Sequence, residues 1–157
     1  MSELNQMVVF RLDEQRYALV LAAVERIVRA VEVIPLPKAP AIVLGVINVE
    51  GRILPVFNVR RRFGLPDKGI TPTNQFLIAR TERRPVVLVI DEAEGMIERS
   101  SADIVGPSGI VPGLEQIRGV IKLDDGLALI YDLEKFLSSD EASVLEEAMS
   151  KETAREH

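Results

Sequence analysis

The chain has 157 residues, 47% of them apolar and 27% charged, with 24 acidic against 19 basic side chains and a net charge of −5. That composition supplies a continuous core rather than a disordered segment, and it offers no concentrated positive field to grip nucleic acid or an anionic membrane surface. Cysteine is absent and the only histidine is His157, so disulfides, thiolate metal sites, cysteine nucleophiles and histidine triads have no residues to use.

No stretch approaches the roughly 20 apolar residues that span a bilayer, and the opening Met1-Ser2-Glu3-Leu4-Asn5-Gln6 has no basic region leading into an apolar run. The expectation is a cytoplasmic protein with no nucleic-acid partner and no direct membrane insertion. At this length one compact domain is the default, and two subdomains of roughly 70 residues each also fall within the usual sizes.

Short runs of Val, Ile and Leu bounded by turn residues predict a mainly β chain. In order, the candidate strands are Met7 to Leu12, Tyr17 to Leu21, Ile27 to Val33, Val43 to Val49, Ile53 to Val59, Gln75 to Arg80, Val86 to Ile90, Met96 to Glu98, Ile117 to Leu123 and Leu127 to Tyr131. Glu50-Gly51 and Asp124-Asp125-Gly126 are hairpin signals, because Gly and, less readily, Asp tolerate positive φ. Pro35, Pro37 and Pro40 break any regular element between Ile34 and Ala41, and Leu65 to Thr73 reads as a linker near the middle of the chain. Ser138 and Glu141 have the capping-box spacing, followed by Ala142, Leu145, Ala148 and Met149 at helical intervals, so a helix is expected over about 139–150 with a frayed end after it.

The two halves resemble each other. Gly45-Val46-Ile47, Gly51, Asn58-Val59 and Phe63 reappear as Gly119-Val120-Ile121, Gly126, Asp132-Leu133 and Phe136. Upstream, Tyr17 to Leu21 followed by Val24 and Ile27 matches Val86 to Ile90 followed by Ala93 and Met96. Each half carries about five short strands, enough for a small barrel that hides its edges, so two related barrels are expected. The corresponding subdomains are about 7–65 and 74–137.

Catalytic motifs are missing: there is no phosphate-binding loop, dinucleotide fingerprint or nucleophile elbow. Asp91, Glu92 and Glu94 form an acidic cluster that lacks the spacing of a calcium loop and is expected to face water. The alternative function it would support is a metal- or ligand-binding β-barrel. Arg60-Arg61-Arg62 is expected to be a solvated face of a short helix, and Arg83-Arg84 a solubilising turn.

Several runs together carry a family resemblance: Val24-Glu25-Arg26-Ile27, Leu36-Pro37-Lys38-Ala39-Pro40, Leu44-Gly45-Val46-Ile47-Asn48-Val49-Glu50-Gly51 and Ile53-Leu54-Pro55-Val56-Phe57-Asn58-Val59-Arg60. In that order and spacing they resemble the CheW family of bacterial chemotaxis coupling proteins. The resemblance implies a single CheW-like domain of two intertwined SH3-like five-stranded β-barrels around a common core, with a C-terminal helix and with neither enzymatic activity nor cofactor or metal. It also implies scaffolding between the regulatory domain of a CheA-type histidine kinase and the cytoplasmic tip of a methyl-accepting chemoreceptor, with the receptor groove along Val24, Ile27, Ala93 and Met96. Two positions depart from the family pattern, which has an acid where Arg26 stands and an arginine where Glu50 stands. The paired reversal implies that the two side chains touch and that they bear on partner choice. Asn58 stands where the family has aspartate.

Overall fold

The computed structural model describes residues 4–106 and 116–155. The strands are β1 (Leu4–Leu12), β2 (Gln15–Val20), β3 (Val24–Arg29), β4 (Val43–Val49), β5 (Arg52–Phe57), β6 (Gln75–Arg80), β7 (Pro85–Ile90), β8 (Glu92–Ser100), β9 (Ile104–Val105), β10 (Ile117–Leu123) and β11 (Gly126–Tyr131). A one-turn helix α1 (Val59–Arg62) follows β5, and helix α2 (Ser139–Arg155) follows β11. The strands form two sheets, ordered β8-β1-β2-β11-β10-β9 and β3-β6-β7-β5-β4.

Sheet membership does not follow the halves of the chain. The hairpin β1–β2 sits among the strands of the second repeat, and the hairpin β6–β7 sits among those of the first. The joins are equivalent: β2 runs parallel to β11, with Ala18 opposite Ile130, and β7 runs parallel to β5, with Val87 opposite Val56. Each repeat therefore lends its first hairpin to the other's sheet. Both sheets stay open in their hydrogen-bonding order, with β8 and β9 at the edges of one and β3 and β4 at the edges of the other.

Alternation along the strands sends side chains to opposite faces, and this produces three cores. Met7, Val9, Ala18, Ile121 and Ile130 pack on one face of the first sheet. Ile47, Leu54, Val56, Phe76, Ile78 and Val87 pack on one face of the second. The other faces meet in a larger shared core that includes Val8, Phe10, Tyr17, Leu77, Ala79, Leu88 and Tyr131. Aromatic rings run through it, with Tyr17 4.3 Å from Phe63, Phe63 4.6 Å from Tyr131, and Phe57 stacked on Phe136 at 4.5 Å.

The two hairpin signals are confirmed in form. Glu50 (φ 51°) and Gly51 (φ 87°) form a two-residue turn with both dihedrals positive, the geometry that matches strand twist, between the paired Val49 and Arg52. Asp124 and Asp125 connect the paired Leu123 and Gly126. The strand expected over Ile27 to Val33 lies earlier, over Val24–Arg29, because its partner β6 begins at Gln75, which pairs with Arg29. The short strand expected at Met96 to Glu98 is the nine-residue β8, an edge strand whose Glu, Gly and Arg residues break the apolar pattern while its backbone still pairs with β1. Helix α2 continues to Arg155 instead of ending near Ser150; Glu156 and His157 lie outside the described residues. Its N-terminus carries the anticipated capping box, with Glu141 N donating to Ser138 Oγ at 3.1 Å and Ser138 N donating to a Glu141 carboxylate oxygen at 2.8 Å.

The repeated glycines have a common cause. At Gly45 (φ +153°) a Cβ would lie 2.3 Å from the Ile34 carbonyl oxygen, and at Gly119 it would lie 2.7 Å from that of Val105. Both stand at register shifts where a short segment caps the sheet edge. Replacing Gly45 with Ala is expected to destabilise the protein by about 2 kcal/mol or more, through overpacking against backbone and a disfavoured φ. Gly69→Ala, with nothing within 4 Å, serves as the neutral comparison in urea unfolding; equal midpoints for the two variants would refute this account.

Candidate functional site

Val24 and Ile27 lie on β3, and Ala93 and Met96 on β8, each strand at an open edge of its sheet. Their cross-strand partners are Ala79, Leu77, Phe10 and Val8 respectively. All four partners belong to the shared core, and directly paired residues project to the same face. The four side chains thus mark where the shared core reaches the surface at two unpaired edges. Val24, Ile27 and Ala93 are partly buried and pack on that core, whereas Met96 is 54% exposed. Ala93 N donates to Gln75 Oε1 at 2.7 Å, tying β8 to the other sheet.

Beside β3 stands a collar of exposed ion pairs. Arg26 Nη1 approaches Glu50 Oε1 at 3.4 Å, with Glu50 on the β4–β5 turn and Arg26 at a bulge within β3. Glu25 accepts from Arg52 at 2.6 and 3.2 Å and from Arg80 at 3.3 Å, and these hydrogen bonds, Arg52 first, hold its carboxyl below the usual range. Exposed pairs of this kind contribute only about 0–1 kcal/mol each. Their consequence is local geometry and surface charge.

The acidic cluster does not face water as a free set. Glu92 pairs with Arg11 at 2.7 Å, Glu94 with Arg16 at 2.8 Å, and Asp91 with Arg60 at 2.8 Å. Among the described residues no group of three or more acidic or histidine side chains is arranged to hold a metal, and the ligand-binding alternative loses its basis.

The arginine run is likewise not a solvated helix face. Arg60 is 8% exposed and grips Asp13 at 2.8 and 3.1 Å and Asp91 at 2.8 Å through both oxygens. Lys68 reaches Asp13 at 2.9 Å, and Asp13 N donates to Asp91 Oδ2 at 2.6 Å. Arg62 binds Glu141 of α2 at 2.6 and 2.7 Å and lies over the Phe136 ring. Arg84, expected in a solubilising turn, binds Glu146 of α2 at 2.6 Å. The sequence shows like charges in a row, but their acidic partners come from distant elements, so linear patterning could not reveal the pairing.

A second apolar surface lies elsewhere. Val31, Leu44 and Ile70 line an open depression of about 440 Å³ together with the charged Glu32 and Lys68. Exposed Ile34 is adjacent in the chain, bridging to Val46. The apolar pattern hides it by predicting a strand over Ile27 to Val33, whereas β3 ends at Arg29 and leaves Val31 to Ile34 outside the named strands.

A family model described as a CheW-like domain matches residues 6–141. The chain belongs to the CheW-like domain family. The chemotaxis protein CheW of Treponema pallidum is 30% identical over 146 residues, covering 89% of this chain and 86% of the relative. That of Rhizobium meliloti is 28% identical over 139 residues, covering 87% and 90%. Protein FrzA of Myxococcus xanthus is 27% identical over 114 residues, covering 72% and 71%. The crystal structure of the scaffolding protein TtCheW from Thermoanaerobacter tengcongensis superposes with a TM-score of 0.80 at 25% identity, covering 90% of this chain and 96% of that one. The mainly β fold of two sheets with a C-terminal helix is thus the CheW fold.

The Arg60 cluster makes an acid-stability prediction. Hydrogen bonds from Arg60 and then Lys68 hold the Asp13 carboxyl far below its ordinary value. At Asp91 burial opposes ionisation, but the Asp13 N–H and Arg60 outweigh it, so this carboxyl is lowered too. Lowered native values mean stabilisation that is complete above the unfolded carboxylate range near pH 4 and is lost as pH falls through the native values. Arg60→Met removes the cation that bridges the two carboxylates and leaves only Lys68 on Asp13, so stability near neutral pH is expected to fall. Since that variant keeps only Lys68 on Asp13 and the Asp13 N–H on Asp91, it favours the ionised carboxylates less, and its stability should fall less between pH 7 and pH 3 than that of the wild type. Urea unfolding at several pH values checks this, and parallel pH profiles would contradict it.

Proposed function

We propose that this chain is a non-enzymatic scaffold that couples chemoreceptors to a CheA-type histidine kinase in a chemotaxis-like pathway in the cytoplasm. The family match across residues 6–141 carries the reading. Two features are consistent with it. No helix among the described residues is long and apolar enough to cross a membrane, and the described residues place apolar side chains at separate surface sites, the β3 and β8 edges and the depression around Val31, Leu44 and Ile70, as a bridging protein needs. The cytoplasmic tip of a methyl-accepting receptor docks along Val24, Ile27, Ala93 and Met96, where an apolar helix face meets flexible and branched side chains. The regulatory domain of the kinase is the second partner, and neither nucleic acid nor membrane insertion is involved. Arg26 and Glu50 beside the groove tune partner choice, because like charges brought together at an interface exclude the wrong partner.

Co-sedimentation with receptor-tip fragments and a kinase regulatory domain tests the reading; binding to neither would sink it. Met96→Lys is expected to abolish receptor-tip binding while leaving the melting temperature within about 2 °C of wild type, since Met96 is 54% exposed. Val24→Lys should also abolish binding, with a larger stability loss because Val24 packs on the shared core. Intact binding by a folded Met96→Lys protein would remove Met96 from the groove.

Arg26→Glu places two acids together at the β3 collar and should weaken coupling. Adding Glu50→Arg should restore the local pair and shift preference toward receptors that suit the more typical family polarity. A double-mutant cycle reports the coupling directly; strictly additive effects on binding would leave two unrelated substitutions.

A further inference from the structure

The chain crosses between sheets at two equivalent points of the repeat. From β2 to β3 it passes through Leu21–Ala23, a single 3₁₀ turn with no side-chain cap. From β7 to β8 it passes through Asp91 alone. In the repeat, Val24 and Ile27 follow the first crossing as Ala93 and Met96 follow the second, so each crossing sets the start of one groove strand. The two crossings are built differently. Asp91 is held by both Arg60 contacts at 2.8 Å and by Asp13 N at 2.6 Å, receives Asn74 Nδ2 at 3.3 Å, and donates its own N–H to the Arg11 carbonyl at 3.0 Å. At the corresponding Ala22 there is only a methyl group.

Strand β3 is also the less constrained of the two along its length. It pairs over Val24–Arg29 with β6 alone, with a bulge between Val24 and Arg26, and its side-chain ties are the exposed Glu25 and Arg26 pairs. Strand β8 is likewise paired with one neighbour and has a register shift opposite Val9 and Phe10, but it pairs with β1 over the longer span from Leu4 to Arg11 and is anchored to β6 through Gln75.

We propose that Arg60 is a positioning residue for the groove: by stapling Asp91 to Asp13 it makes β8 the fixed lip, and the unstapled turn at Leu21–Ala23 leaves β3 as the lip that adjusts to the bound helix. Its role as a lip rests on the docking reading above, but the mechanical claim does not. Arg60 reaches both carboxylates at once with a planar fork, which a lysine cannot do.

The absence of cysteine allows paired spin labels without background. One pair, Arg29→Cys with Glu98→Cys, spans the two lips; a control pair, Arg29→Cys with Arg83→Cys, links β3 to the β6–β7 turn of the same sheet. Double electron–electron resonance on the full chain should give a broader and displaced lip-to-lip distribution in Arg60→Met and in Asp91→Asn, an intermediate one in Arg60→Lys, and an unchanged control pair in all three. If Arg60→Met fails to fold, the near-isosteric Asp91→Asn carries the test; an unchanged lip distribution in the folded Asp91→Asn protein overturns the proposal. Receptor-tip affinity should fall about tenfold in Asp91→Asn with an unchanged circular dichroism spectrum. Lips that respond in a protein whose wild type binds no receptor tip would reject the docking reading and keep the staple. Displaced lips with unaltered affinity would reject the positioning role.

Discussion

Each repeat places its first hairpin in the sheet built by the other, and nearly every other property of the molecule follows from that exchange. Neither sheet can be completed by a contiguous half of the chain, since β1–β2 belongs with β8–β11 and β6–β7 belongs with β3–β5. The faces left over after each sheet has enclosed its own small core are apolar and meet in the shared one. A cut at the central linker would therefore separate parallel-paired strands, β2 from β11 and β7 from β5, rather than release two domains. The exchange also requires the chain to cross between sheets twice, and the strands just past those crossings are edge strands. The apolar rim at these two edges is thus a by-product of the topology: the shared core has to end somewhere, and it ends at β3 and β8.

Arginine is the residue that secures this arrangement, in two different ways. Arg60 is nearly buried and bidentate, and its value lies in fixing which hairpin tip meets which crossing, because removing one partner of a buried pair leaves a stranded charge. Arg62 and Arg84 act between elements, tying α2 to α1 and to the β6–β7 turn through Glu141 and Glu146. Leu145, Ala148 and Met149 then pack on the shared core, so that helix closes one side of it while the groove side stays open. The pairs around Arg26 and Arg52 are exposed and weak by comparison. The strong contacts sit between distant elements of the fold, and the weak ones lie on its exposed surface.

Legibility in the sequence tracks how local each cause is. The turn at Glu50-Gly51, the capping box at Ser138 and Glu141, and the strands over Val43–Val49, Gln75–Arg80 and Ile117–Leu123 are written in neighbouring residues and were read correctly. Strand β8 was truncated in the reading because an edge strand is defined by its partner's backbone and tolerates Glu, Gly and Arg. The repeat was visible as spacing, and its physical reason, a carbonyl pressed against Gly45 and another against Gly119, became visible only in three dimensions. The groove residues came from the family resemblance together with the repeat. The fate of Arg60 and Asp91 was misread because ion pairing between residues 31 apart leaves no periodic trace.

A protein that performs no chemistry can pass a signal only by holding its partners in a fixed relation, so the stiffness between its surfaces matters as much as the surfaces themselves. The second apolar depression shares Lys68 with the Arg60 cluster: Lys68 lines it and also reaches Asp13. Asp13 is in turn locked to Asp91, and Asp91 sets the start of β8. Between the depression and the groove, therefore, runs a short chain of charge-assisted hydrogen bonds rather than a soft apolar contact. Such bonds are directional where hydrophobic contacts are not. Because Arg60 follows the last strand of one sheet's hairpin and Asp13 sits on the β1–β2 turn of the other, this directional cluster ties the two sheets together where the shared core supplies only non-directional contact.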